Sequence, residues 1–200
     1  MKITIILGVI FAILVLFVLG IVGCGVGMYN SFVSMDENIN QTWAQVENQY
    51  QRRADLIPNL VEIVRGYATH EKSTFTEIAT ARASIGSMKL TPEALKDPMA
   101  FANYQKAQDG LSSVLSRLMM VTENYPTLKA NENFMTLQKQ LEGTENRISV
   151  ERKRFNESVQ PYNTSIRKFP GSIVAGIGGF KERPYFKAEE GANKAPKVKF

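Results

Sequence analysis

The chain has 200 residues, 44% hydrophobic and 22% charged, with 14 glycines and 8 prolines; that profile excludes a disordered, collagen-like or low-complexity chain. One cysteine and one histidine exclude an intramolecular disulfide framework, a Cys-rich zinc centre and multi-histidine metal sites, and leave a histidine-based dyad one candidate. The net charge of +5 gathers at the ends, at Lys2 and in a tail where Lys181, Arg183, Lys187, Lys194, Lys197 and Lys199 stand against Glu182, Glu189 and Glu190, so the near-neutral middle lacks the basic face of a nucleic-acid binder.

Ile3 to Met28 is a run of 26 residues with no charge and one polar side chain, Thr4. At ~1.5 Å per residue it reaches ~39 Å, enough for a ~30 Å hydrocarbon core. Without a polar stripe it predicts a transmembrane helix, residues 1–28 acting as a signal-anchor. Gly23/Gly27 and Gly8/Ala12 have the small-xxx-small spacing that permits helix pairing in lipid, although glycine is common in such helices. Lys2 precedes the run, and no basic residue follows it until Arg52. The expected orientation is therefore amino terminus inside and body extracytoplasmic. A competing reading takes Ile21-Val22-Gly23-Cys24 as a lipobox, with Cys24 acylated and the preceding segment removed; the thin charged flank and long apolar run favour the uncleaved anchor.

Beyond the span, Met35, Ile39, Trp43, Val46, Tyr50, Ile57, Leu60, Val64 and Tyr67 recur at steps of three and four, the seam of a packed helix. The phase carries on through Glu71, Phe75, Ile78, Arg82 and Ile85. It predicts one helix from about residue 31 to about 85, weakened at Pro58 and Gly66. Thr91-Pro92 and Asp97-Pro98 read as caps followed by proline at the first helical position. They predict a short helix near 92–96 and a long one over 98–124. Asn131 is the expected cap of a last long helix, with Phe134, Leu137, Leu141, Ile148, Phe155, Val159, Tyr162 and Ile166 on its buried stripe and Pro161 near its end. Residues 171–179 hold four glycines and no charge and read as a flexible connector. The aromatics after it (Phe180, Tyr185, Phe186, Phe200) show no period. The expected fold is all-α: a single N-terminal transmembrane helix, then over 29–169 an antiparallel bundle of three long helices with a short fourth, then an irregular basic tail over 170–200.

The stretch Arg52-Arg53-Ala54-Asp55-Leu56-Ile57-Pro58-Asn59-Leu60-Val61, with Gly66-Tyr67-Ala68 and His70-Glu71, strongly resembles the LemA family. Tyr29-Asn30, Ala81-Arg82, Glu123-Asn124-Tyr125-Pro126, Leu128-Lys129-Ala130, Asn133-Phe134, Leu141 to Ile148, Tyr162-Asn163 and Phe169-Pro170 extend the match over nearly the whole chain in order. The resemblance implies a bacterial, membrane-associated helical bundle with one amino-terminal span, no established enzymatic activity and no cofactor. It also implies membrane proteins as neighbours, a membrane metalloprotease encoded nearby among them.

Arg53 falls on the seam, and a buried arginine needs a partner. Asp55, Glu142, Glu145 and Glu151 are the candidates for an ion-pair cluster. It either fixes helix register or docks a partner, and an ordinary internal ion pair is the plainer reading. His70 and Glu71 are adjacent on the chain and do not face one another on a helix, so a satisfied surface histidine is the simpler account. The serines and threonines lack GxSxG or phosphate-loop context. Glu142 and Glu145 share a face as bundle carboxylates commonly do, and Met119-Met120 reads as core filler. Gln41, Gln45, Asn48, Gln49 and Gln51 give the early helix a polar, weakly charged face suited to solvent or a partner. No catalytic, cofactor or metal constellation emerges. The expected function is a membrane-tethered interaction protein touching lipid and other membrane proteins, not nucleic acid; a ligand-binding sensor working with a partner is the alternative. The oligomeric state is left open.

Overall fold

The computed structural model describes residues 2–68, 70–88, 91 and 93–187. Its elements are α1 (Lys2–Tyr67), α2 (Lys72–Ser87), a 3-10 turn (Ala94–Lys96), α3 (Pro98–Thr122), α4 (Pro126–Lys129), α5 (Glu132–Arg167) and α6 (Gly171–Gly178). The described residues contain no strand, and the chain is all-α. It forms two compact units: residues up to Ile39 with Ser158–Glu182, and Asn40–Glu157 with the chain from Arg183 onward.

The cap signals act where the sequence places them. The Asp97 carboxylate accepts from the Met99 backbone N–H at 2.9 Å with Pro98 opening α3. The Asn131 side chain accepts from the Phe134 N–H at 3.0 Å at the start of α5. Each satisfies a helix-end donor that would otherwise be orphaned. Pro161 lies inside α5, and Pro58 inside α1.

Two expectations need correction. The helix predicted over 31–85 is two helices. α1 stops at Tyr67, just after Gly66, and α2 begins at Lys72. The connection, 68–71, is four residues long, close to the ~3.6 of one helical turn. The chain therefore re-enters a helix in nearly the same phase, and its apolar stripe shows no slip. Phe75 and Ile78 of α2 join Ile57, Leu60, Val64 and Ala68 in one buried core with Leu111, Leu115 and Leu118 of α3 and Phe134 and Leu141 of α5. Arg82, given a seam slot, is exposed. The second unit thus draws on four helical legs, α1, α2, α3 and α5, where three long helices and a short fourth were expected. Along it, Trp43, Tyr50 and Arg53 of α1 meet Phe155, Arg152 and Glu145 of α5 in descending order and Phe101, Tyr104 and Gln108 of α3 in ascending order.

The second correction is the expected flexible connector, whose residues Gly171–Gly178 form α6. Gly179 closes it in the left-handed region at φ 71°, and the Phe180 N–H donates to the Ala175 carbonyl at 3.0 Å. That closure is open to glycine at no steric cost. Gly171 serves close packing. A Cβ on Gly171 would lie 2.4 Å from the Ser165 carbonyl oxygen and 3.1 Å from the Phe32 ring. Gly171→Ala is expected to destabilise the first unit by about 1–3 kcal/mol, because the obstructing atom is backbone and cannot swing away. Faster amide exchange across α6 in the detergent-solubilised chain would show it; unchanged protection would mean that the helix is not seated there.

Within the first unit, α1 is also the one helix among the described residues long and apolar enough to cross a membrane. Leu7, Ile10, Phe11, Leu14, Leu16, Phe17 and Leu19 are each more than half exposed. Cys24 is a free, exposed cysteine on this helix.

Candidate functional site

The most densely organised part of the molecule is the buried polar layer of the second unit. Arg53 is 0% exposed. Its Nη1 donates to the Ser112 hydroxyl at 2.6 Å and to Glu145 Oε1 and Oε2 at 2.9 and 3.3 Å. Its Nη2 donates to the Gln108 backbone carbonyl at 3.3 Å and to the Gln108 side-chain oxygen. The guanidinium carbon also lies 5.3 Å from the centre of the Tyr50 ring, within cation–π range. One side chain of α1 thereby ties α3 and α5.

The other acidic residues proposed as partners are elsewhere. Asp55 accepts from Gln51 one turn back on the surface of α1. Glu142 accepts from Gln138, and Glu151 pairs with Arg154 at 2.8 Å. Of the four, only Glu145 meets Arg53, because α3 presents Gln108 and Ser112 on the remaining sides. His70 is exposed in the turn after α1, while Glu71 accepts a long 3.5 Å bond from the Tyr125 hydroxyl.

Next to this layer lies an aromatic core. Trp43 has the rings of Phe101, Tyr104 and Phe155 at 5.9 Å, Phe186 stacked at 6.0 Å and Tyr50 at 6.5 Å. Such pairs add about 0.5–1.5 kcal/mol each beyond their buried area. Between them and solvent, Arg152 donates to the Tyr50 hydroxyl at 2.8 Å and to Asp109 at 2.7 Å, with its guanidinium 5.0 Å from the Phe186 ring.

Phe186 reaches this core from the tail, in a segment with no secondary structure of its own. Asn156 of α5 binds its backbone twice, donating to the Phe186 carbonyl at 3.0 Å and accepting from its N–H at 2.9 Å. Gln105 of α3 treats Lys187 the same way, at 2.7 and 3.3 Å. Two side-chain amides thus supply the pairing that a neighbouring strand would give. Arg183, 2% exposed, donates to Asn40 at 3.1 Å. The irregular basic tail expected from the sequence is, over 183–187, a strap packed into the core; Lys194, Lys197 and Lys199 lie outside the described residues.

The sequence reading missed Gln105, Gln108, Ser112, Asn156, Arg152 and Asp109. One signal was present: the apolar stripe of α3 skips from Tyr104 to Leu111, and the slot between is Gln108.

Burial pushes the Tyr50 phenol up to about 12 from 10.0, although the neighbouring Arg152 pulls it down. Below pH 10 the folded and unfolded chains both keep this proton and the stability it confers is complete. Between about pH 10 and 12 only the unfolded chain releases it, and stability falls by about 3 kcal/mol. Urea midpoints taken from pH 9 to 11 should decline, and Tyr50→Phe should flatten the decline. Parallel slopes in the two proteins would place the titrating group elsewhere.

The layer locks three helices together through one buried guanidinium. The Ser112 hydroxyl accepts from the Arg53 guanidinium at 2.6 Å and donates to Glu145 Oε2 at 3.3 Å, so it bridges the two charged groups. A pocket of about 430 Å³ opens beside it, lined by Ser112, Leu115, Ser116, Met119, Leu141, Glu142, Glu145 and Asn146. No group of three or more His, Cys, Asp or Glu residues able to hold a metal occurs among the described residues.

The chain is 32% identical over 174 residues to magnetosome protein MamQ of Magnetospirillum gryphiswaldense, covering 79% of this chain and 64% of that protein. It is 31% identical over 174 residues, with the same coverages, to MamQ 1 and MamQ 2 of Paramagnetospirillum magneticum. The chain spans 64% of the length of these relatives. The model of the LemA family matches residues 42–200, a span that takes in the Arg53 layer, the aromatic core and the strap; the chain belongs to the LemA family.

Proposed function

We propose that this protein is a membrane-anchored, non-catalytic interaction module. α1 holds it in the lipid, and the second unit presents a rigid helical surface to other membrane proteins as a scaffold or envelope component. The observation that carries this reading is the exposed, uncharged apolar stretch at the start of α1. The Arg53 layer supports it, because its charged groups are engaged in tying helices together. The anchor is a single uncleaved pass through the bacterial cell membrane, amino terminus inside and bundle outside the cytoplasm. A membrane metalloprotease encoded nearby is a partner of the expected kind. Nucleic acid is not, given the balanced charge of the middle of the chain.

Crosslinking in intact membranes followed by mass spectrometry tests the proposal. It should return the same membrane proteins in repeated experiments; recovery of none, or turnover of a substrate by the purified chain, would overturn it. Reporter fusions at the carboxyl terminus check the orientation, and cytoplasmic-type activity there would reverse it. An intact mass that includes residues 1–23 supports the uncleaved anchor, whereas a mature chain starting at lipid-modified Cys24 would replace it.

The pocket beside Glu145 favours a second reading, a ligand-binding sensor acting through a partner. Ligand-dependent thermal shifts of the full chain, abolished by filling the pocket with Ser116→Phe, would select it.

A further inference from the structure

The face of α6 turned away from its own unit is apolar and uncovered. Ile173 and Ile177 are 55% and 85% exposed, and Phe169 just before the helix is 81% exposed. The two isoleucines are four residues apart and share one face of the helix. Gly171 and Ala175, also four apart, form the buried face. A helix apolar on both sides is not built to meet water, and residues 171–180 contain no charge to soften it.

Its position within the first unit identifies what covers it. A Cβ on Gly171 would touch the Phe32 ring, and Phe180 at the end of α6 packs edge-on against Tyr29 and Phe32 at 5.2 and 5.5 Å. α6 is thus clamped to α1 at residues 29–32, the turn directly after the uncharged run ends at Met28. That turn lies within ~6 Å of the end of the run along the helix axis. Tyr29 and Phe180 are aromatic residues of the kind enriched where hydrocarbon meets headgroups. Lys168 precedes α6 and Lys181 follows it, placing cations on both sides of the apolar stretch where anionic headgroups would receive them.

We propose that α6 is a second membrane contact, an interfacial helix that seats Phe169, Ile173 and Ile177 in the headgroup–acyl boundary of the same leaflet in which the apolar run of α1 ends. Interfacial helices of this type bury their apolar face ~5–10 Å into that boundary. The span alone would leave the first unit free to rotate about the membrane normal; a second contact fixes how that unit sits on the membrane. The inference rests on the reading of α1 as an anchor.

Spin labels test both together. In a Cys24→Ser background, single substitutions Leu14→Cys, Ile173→Cys, Ile177→Cys and Lys139→Cys are labelled. The full chain is reconstituted in vesicles of phosphatidylcholine and phosphatidylglycerol, with helix content checked by circular dichroism. Accessibility to oxygen, which partitions into lipid, is compared with accessibility to a water-soluble nickel complex. The oxygen-to-nickel ratio at 173 and 177 should exceed that at exposed position 139 several-fold and stay below that at 14, which lies deeper in the hydrocarbon. If 14 reads lipid while 173 and 177 read water, the interfacial helix is refuted and the anchor stands. If 173 and 177 are immobile and closed to both reagents, a protein covers the face and the lipid assignment is overturned. If 14 itself reads water, the anchor fails and the interfacial helix fails with it.

Discussion

Glu145→Ala is expected to cost the second unit about 3–5 kcal/mol, the loss seen when one partner of a buried pair is removed and a charge is left uncompensated. The reason lies in an asymmetry of exposure. The Arg53 side chain is 0% exposed, whereas that of Glu145 is 35% exposed. Without Glu145, the buried guanidinium keeps only the neutral oxygens of Ser112 and Gln108. Without Arg53, the carboxylate can turn toward solvent. Arg53→Met should therefore cost less than Glu145→Ala, the residual loss arising from Gln108, whose 2% exposure leaves its freed oxygen little access to water. The double substitution should recover part of the Glu145→Ala loss and reveal a coupling between the two positions. Trp43 is the only tryptophan, so urea titrations of the detergent-solubilised chain followed by its fluorescence report this unit alone. Equal midpoints for wild type and Glu145→Ala would mean that the guanidinium is hydrated, and the lock would lose its basis.

What such a lock contributes is register. The Arg53 layer lies between the aliphatic core around Leu60 and Leu118 and the aromatic core around Trp43. Apolar side chains alone would tolerate a helix sliding by one turn, since three-and-four spacing repeats itself. An arginine that must meet a glutamate on α5 and a glutamine on α3 does not tolerate it.

The same repetition explains what the sequence discloses and what it hides. A three-and-four pattern states which residues face a core, and Trp43, Ile57, Leu60, Val64, Phe75, Ile78 and Phe155 are all buried as it implies. It does not state whether the helix carrying them continues, because the four sequence positions between α1 and α2 amount to about one helical turn and leave the pattern in phase. Arg53 was legible as a buried charge from its seam slot. Its choice among four acidic residues was not, since that depends on the rotation of α5 about its own axis. The strap and α6 were hidden for a different reason. Phe186 is held by Asn156, thirty residues back, and by rings on three helices, contacts that no local period announces. α6 is short and glycine-rich, and the packing of Gly171 against Ser165 and Phe32, rather than helix propensity, stabilises it.

Phe186→Ala is the other substitution expected to act strongly. Its ring is 4.8 Å from Phe101, 5.3 Å from Phe155 and 6.0 Å from Trp43. Truncating a buried phenylalanine costs about 3–5 kcal/mol through lost transfer energy and the cavity left behind. The loss need not appear as global unfolding. Residues 183–187 belong to no helix, so their opening breaks the backbone bonds to Asn156 and Gln105 and the contact of Arg183 with Asn40 without unwinding a helix. If the ring supplies most of the strap's attachment, Phe186→Ala releases the strap locally, water reaches Trp43, and its emission shifts to longer wavelength and becomes quenchable by iodide while helix content holds. Asn156→Ala removes two hydrogen bonds at about 0.5–1.5 kcal/mol each and leaves the ring in place, so it should show the same change more weakly. Phe186→Leu, which refills most of the volume, should lie nearest to wild type. Unaltered Trp43 emission in Phe186→Ala would show that the aromatic core closes without the tail, and that the four helical legs of the second unit, not the strap, keep water from it.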